Sequence, residues 1–156
     1  MKDQTCCFTG HRKLPPEQSE KIAGRLKTVL IQLIESGIRY FGAGGALGFD
    51  TLAAQTVLEL KMQYPQIRLI LVLPCPEQTR GWKTEDVAVY ENIKARCDKV
   101  VYTSQSYTND CMFRRNRHLV DESSVCVCWL TEPAGGTAYT VRYAREKGLR
   151  IMNLAE

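Results

Sequence analysis

No apolar run in this sequence approaches the roughly 18 residues that a helical membrane span needs, so no membrane association is expected. There is no CxxC pair. The seven cysteines are odd in number, with Cys6 and Cys7 adjacent and Cys126 and Cys128 alternating in a strand-like run, which suits neither a disulfide framework nor a thiolate metal site. The two histidines, His11 and His118, are far apart in sequence. No metal and no cofactor is therefore expected, and the cysteines read as small buried hydrophobes in a reducing compartment. The opening Met1-Lys2-Asp3-Gln4-Thr5 lacks the apolar segment of a signal peptide, so the expected location is cytoplasmic. A GxxxxGK[ST] phosphate loop is missing, which argues against a Walker-type nucleotidase. No Ser/His/Asp or Cys/His order stands out, and there is no repeat, linker or low-complexity stretch.

What is present is ordinary for one globular domain over residues 1–156, with 44% hydrophobic and 24% charged residues. The net charge of +4 suits an anionic small molecule and does not by itself argue for nucleic acid. Apolar runs alternate with helical patterns from end to end. Strands are expected at Thr5–Thr9, Ile38–Phe41, Ile67–Leu73, Lys99–Thr103, Val125–Leu130 and Leu149–Leu154. The third is almost wholly apolar, as a parallel strand covered on both faces should be. Between them, Ile22, Leu26, Val29, Leu30 and Leu33 recur at helical spacing after Pro15-Pro16, and similar faces precede Pro65 and follow Thr84, Asp110 and Thr137. This alternation predicts a three-layer α/β, Rossmann-like domain with a mainly parallel sheet of about six strands. In such sheets ligands sit beyond the carboxyl ends of the strands, near the point where strand order reverses.

That rule gives weight to three turns. Thr9-Gly10-His11-Arg12 places a hydroxyl, flexible backbone, an imidazole and a guanidinium after the first strand; Arg12 fits phosphate or carboxylate, or is simply solvated. Gly42-Ala43-Gly44-Gly45-Ala46-Leu47-Gly48-Phe49-Asp50 joins the second strand to a helix, as a phosphate-cradling turn or as a tight turn without a ligand. It departs from the dinucleotide fingerprint, because Leu47 holds the third glycine position. Asp50 reads first as the helix N-cap and second as an acceptor for a ribose hydroxyl or base edge. Gly135-Gly136-Thr137 reads as a second anion cradle, with Thr137 capping the helix, or as a plain cap. Trp82, in the Pro74–Lys83 loop, is a candidate to stack on a base or to pin the loop. Arg114, Arg117, His118 and Asp121 share one helix face, with Arg115 and Asn116 beside them; such a face reads as solvated or as basic groups that hold a phosphate or a partner.

These motifs, in order, resemble the SLOG superfamily, the Rossmann-like group containing the DprA/Smf proteins and the LOG nucleotide hydrolases. The likeness is greatest to its small stand-alone YpsA-like branch. It rests on Thr9-Gly10-His11-Arg12, Gly44-x-x-x-Gly48-x-Asp50, Arg115-Asn116-x-x-Leu119-Val120-Asp121 and Gly135-Gly136-Thr137 followed by Val141-x-Tyr143-Ala144-x-x-x-Gly148. The resemblance implies a pocket for a nucleotide or nucleotide-derived ligand formed by Thr9, Gly10, Arg12, Gly44, Gly45, Asp50, Gly135, Gly136 and Thr137, with Arg115 and Asn116 in its wall. The LOG enzymes carry a catalytic glutamate after a PGGxGT motif. Here Thr140 falls at that place, and a threonine cannot act as an acid or base at neutral pH. The resemblance therefore favours a cytosolic ligand-binding sensor module. A phosphoribohydrolase drawing its acid from Glu132 or Asp50, and a DprA-like DNA-handling accessory, are the alternatives. A homo-oligomer is an open option, and nucleic acid is not expected as a partner.

Overall fold

A computed structural model describes residues 1–156. The strands are β1 (Thr5–Gly10), β2 (Tyr40–Ala43), β3 (Arg68–Leu73), β4 (Lys99–Tyr102), β5 (Val125–Trp129) and β6 (Arg150–Asn153). The helices are α1 (Ser19–Glu35), α2 (Phe49–Lys61), α3 (Thr84–Arg96), α4 (Cys111–Asp121) and α5 (Gly136–Glu146). All six strands pair in parallel, in the order β4-β3-β2-β1-β5-β6. The chain builds outward from β1 to β4, then returns to place β5 on the other side of β1. Strand order reverses between β1 and β5, so the C-terminal ends of those two strands open into the crevice where such sheets hold ligands.

Alternation along the strands sends side chains into two cores. Cys6 and Phe8 of β1, with Val125, Val127 and Trp129 of β5, join the larger core beneath α1, α2 and α3. Cys7, Cys126 and Cys128 face α4 and α5 with Leu119, Val120, Val141 and Ala144. Phe8 stacks on Phe41 at 6.1 Å and meets Phe49 edge-on at 6.4 Å. That packing draws α2 across the end of β1 so closely that a Cβ on Gly10 would stand 2.4 Å from the Phe49 Cβ.

Three expectations at element ends are corrected. β2 begins at Tyr40, two residues later than expected, and absorbs Gly42 and Ala43. A Cβ on Gly42 would come 2.9 Å from a Leu119 methyl, so this glycine lets α4 lie close to the sheet. Helix α2 starts at Phe49 with Gly48 at its N-cap, in a conformation (φ 76°, ψ −120°) that only glycine adopts readily. Asp50 therefore lies inside the first turn and is not the cap. Likewise Gly135 (φ 103°) holds the N-cap place of α5, and Thr137 is a buried residue of its first turn. Pro16–Gln18 forms a short 3-10 turn before α1.

Candidate functional site

Four segments converge over the switch point: the end of β1, the first turn of α2, the first half of α4, and the loop from β5 into α5. They enclose a cavity of about 310 Å³. Larger clefts of about 540 Å³ and 640 Å³ lie at the two edges of the sheet, beside β6 and β4, away from the central strand ends. Position and chemistry, rather than size, pick out the central cavity.

Of the residues singled out in the sequence, Thr9, Gly10, His11, Arg12, Asp50, Arg115, Asn116, Gly135, Gly136 and Thr137 line this cavity. Gly44, Gly45, Gly48 and Trp82 do not. Gly44 and Gly45 stand behind its wall. A Cβ on Gly44 would lie 2.7 Å from Arg115 Nη1 and 2.9 Å from Asp50 Oδ2, and one on Gly45 would meet Leu73 at 2.5 Å. Gly48 lies beneath the backbone of Arg12, 2.2 Å from a would-be Cβ to the Arg12 carbonyl oxygen. Trp82 packs edge-on against Tyr90 at 5.5 Å, against the larger core.

The two helix N-termini at the site differ in kind. At α2 the Phe49 N–H donates to the His11 carbonyl at 3.1 Å, and the Ala46 N–H donates to the Asp50 carboxylate at 3.4 Å. A protein carbonyl thus takes the first helical N–H, and the Asp50 carboxylate brings a negative charge of its own to that end. At α5 the first-turn N–H groups have no helical acceptor, and the Gly135–Gly136 pair leaves them open to the cavity. An anion is favoured there by the free donors and the helix dipole together.

Facing that end are two buried charges. The Asp50 carboxyl is 7% exposed, and loss of solvation pushes its pKa up to about 6, against the opposing pull of Arg115, the Ala46 N–H and Arg12. The Arg115 guanidinium is 4% exposed, and burial lowers its proton affinity while Asp50 sustains it. Arg115 is held on three sides: Nη1 donates to the Gly44 carbonyl, Nε to Asn116 Oδ1 at 2.7 Å, and Nη2 to Met112 Sδ at 3.7 Å. Gln78 Nε2 donates to the same Gly44 carbonyl at 3.3 Å. The glycine turn thus meets the site through a carbonyl that orients Arg115.

His11 ties the β5–α5 loop to β1. Its Nε2 accepts from the N–H of Thr131 at 3.0 Å and of Glu132 at 3.4 Å, while its ring meets Trp129 edge-on at 5.5 Å. These bonds require Nε2 to be unprotonated. Thr140 is buried, and its hydroxyl donates to the Gly136 carbonyl at 2.9 Å. No carboxyl occupies that place in the helix. Ala46, Met112, Phe113 and Ala134 also line the cavity and had no sequence signal beyond neighbouring the motifs.

Comparison with known proteins agrees with this architecture. UPF0398 proteins of Bacillus thuringiensis (strain Al Hakam) and Bacillus cereus (strain Q1) are each 30% identical over 132 residues, which is 83% of this chain and 72% of theirs. Among solved structures, DNA processing protein A from Helicobacter pylori, described for its single-stranded DNA binding mode, superposes with a TM-score of 0.69 at 19% identity. DNA processing protein A from Streptococcus pneumoniae does so at 0.67 and 14%. Each superposition covers 96% of this chain but only 64% and 50% of those longer chains, so what is shared is the fold. With the model of the YspA SLOG family matching residues 8–152, the chain belongs to that family.

Proposed function

We propose that the cavity between β1 and β5 binds a nucleotide or nucleotide-derived ligand, and that the protein acts as a binding module for it. The observation that carries this reading is the opposition, across one small cavity, of a free helix N-terminus and two buried charged groups, the Asp50 carboxyl and the Arg115 guanidinium. A phosphate group fits the first turn of α5, with Arg12 supplying a second, bidentate contact from the β1 end. Asp50 is a strong acceptor aimed at the same space and suits a sugar hydroxyl. The cavity lies at the small end of the range for ligand sites, which favours a mononucleotide-sized group over a dinucleotide.

Isothermal titration with AMP and ADP-ribose tests this. Binding by the wild type, weakened on the order of tenfold by Arg12→Ala, is the expected outcome for loss of a charge-assisted contact. If no member of a broad nucleotide panel binds the wild type, the reading fails.

A second reading is favoured by one observation: a lining carboxyl that titrates near pH 6 is placed as a general acid or base usually is. On this reading water adds across the N-glycosidic bond of a bound nucleotide, giving free base and ribose 5-phosphate, with Asp50 moving the proton. Release of adenine from AMP, abolished in Asp50→Asn, would favour it. Single-stranded DNA enters as a control probe because of the Helicobacter protein. Salt-sensitive binding of an oligodeoxythymidylate, lost on reversing Arg114 and Arg117, would move the reading toward nucleic acid.

A further inference from the structure

Phe113 is the one phenyl ring on the cavity wall, and it is 39% exposed on a helix whose other outward residues are mostly charged. A large apolar ring left in solvent beside a polar cavity carries a cost unless something covers it. Its orientation is fixed from behind. Tyr139, in the second turn of α5, meets it edge-on with centroids 4.9 Å apart and planes at 76°. Tyr139 is itself held by Arg117, whose Nε donates to the hydroxyl at 3.0 Å and whose guanidinium lies 5.7 Å from the ring centroid. Arg117, Tyr139 and Phe113 thus form a braced row ending at the cavity, and the brace stands on the same helix, α5, whose first turn offers the free N–H groups.

We propose that Phe113 is the stacking platform for the base of the ligand, a role for which Trp82, packed on Tyr90 and outside the cavity wall, is misplaced. The inference rests on the nucleotide reading above. A ring already packed edge-on against Tyr139 has less freedom to lose on stacking, so more of its contact energy is retained as affinity. It also makes the site selective for a ligand with a flat aromatic group over the bare sugar phosphate, without choosing strongly among bases, since every base offers a π-face.

Titrating AMP and ribose 5-phosphate into wild type, Phe113→Ala, Phe113→Leu and Phe113→Trp separates this from the broader reading. Phe113→Ala should weaken AMP on the order of tenfold and leave ribose 5-phosphate within about twofold. Phe113→Leu, which keeps apolar volume against Tyr139 but no π-face, should behave like the alanine variant, and Phe113→Trp should bind AMP at least as well as wild type. Thermal unfolding of each variant confirms that it is folded. If AMP binds the wild type and Phe113→Ala leaves it unchanged, or if both ligands weaken alike, the platform role is overturned while the nucleotide reading stands. If neither ligand binds the wild type, the platform role is overturned, and the nucleotide reading falls with it only where the broad nucleotide panel also fails to bind.

Discussion

Asp50 is ionised at neutral pH at an energetic cost. Its carboxyl has an ordinary pKa of 3.8 and is pushed to about 6 in the fold by burial, so between those values the folded chain binds more protons than the unfolded one. Stability then falls as pH rises from about 4 to about 6 and stays lower above that, by about 3 kcal/mol for a shift of roughly two units. Asp50→Asn removes the ionisable group. Urea unfolding should show it more stable than wild type by up to about 3 kcal/mol at pH 7.5 and nearly equal at pH 4. Equal stability of the two proteins at both pH values would contradict the burial argument. A group kept at such cost within reach of a cavity is the kind of residue retained for what it binds or does. Its type and neighbourhood were legible in the sequence; its role was less so. An aspartate before a helical pattern reads first as a cap, and the feature that displaces it from that position is the dihedral choice of Gly48. The glycines show the same limit. A run of them signals close approach, but not of what: Gly44 is approached by Arg115 from a helix 71 residues further along the chain, and no local pattern contains that.

At the scale of elements, helices were legible from a clean apolar period of 3.6 and strands from short apolar runs between turn residues, and their errors lie at the ends, where dihedrals decide. Both glycine turns read as candidate anion cradles, and the structure separates them for a physical reason. Both helices begin after glycines, but α2 carries a carboxylate in its first turn and donates to the His11 carbonyl, whereas α5 carries neither feature. The α5 entry depends in turn on His11, which accepts two consecutive loop N–H groups. Replacing it with alanine should free the Thr131 and Glu132 amides while β1 and β5 stay paired. Hydrogen exchange at those two amides is expected to rise on the order of tenfold, the equivalent of one ordinary hydrogen bond, with the strand amides unmoved. Exchange that rises across both strands instead would mean that His11 supports the sheet through Trp129 and not the loop.

For the whole molecule, the strict β/α alternation made a doubly covered parallel sheet readable, and handedness rules left few strand orders; the observed one puts the candidate cavity between β1 and β5. The same order explains the cysteines. Cys6 and Cys7 are adjacent, so they point to opposite faces of β1, into the larger and the smaller core, while Cys126 and Cys128 of β5 face the smaller one. Burial pushes the Cys6 thiol well up, and the neighbouring Cys128 and Cys7 thiols together with burial do the same for Cys126, which makes both poor nucleophiles in the fold. Of the seven, only Cys97 is not fully buried. A thiol reagent should therefore label one site slowly in the native protein and six more on unfolding. Because β1 and β5 each serve both cores, neither core can open without taking the central strands from the other. Pulsed labelling read by mass spectrometry should then find Cys6 and Cys126 becoming reactive at the same denaturant concentration. Labelling of Cys7, Cys126 and Cys128 at a lower concentration than Cys6 would show instead that α4 and α5 detach first, carrying the walls of the cavity away from a sheet that remains folded.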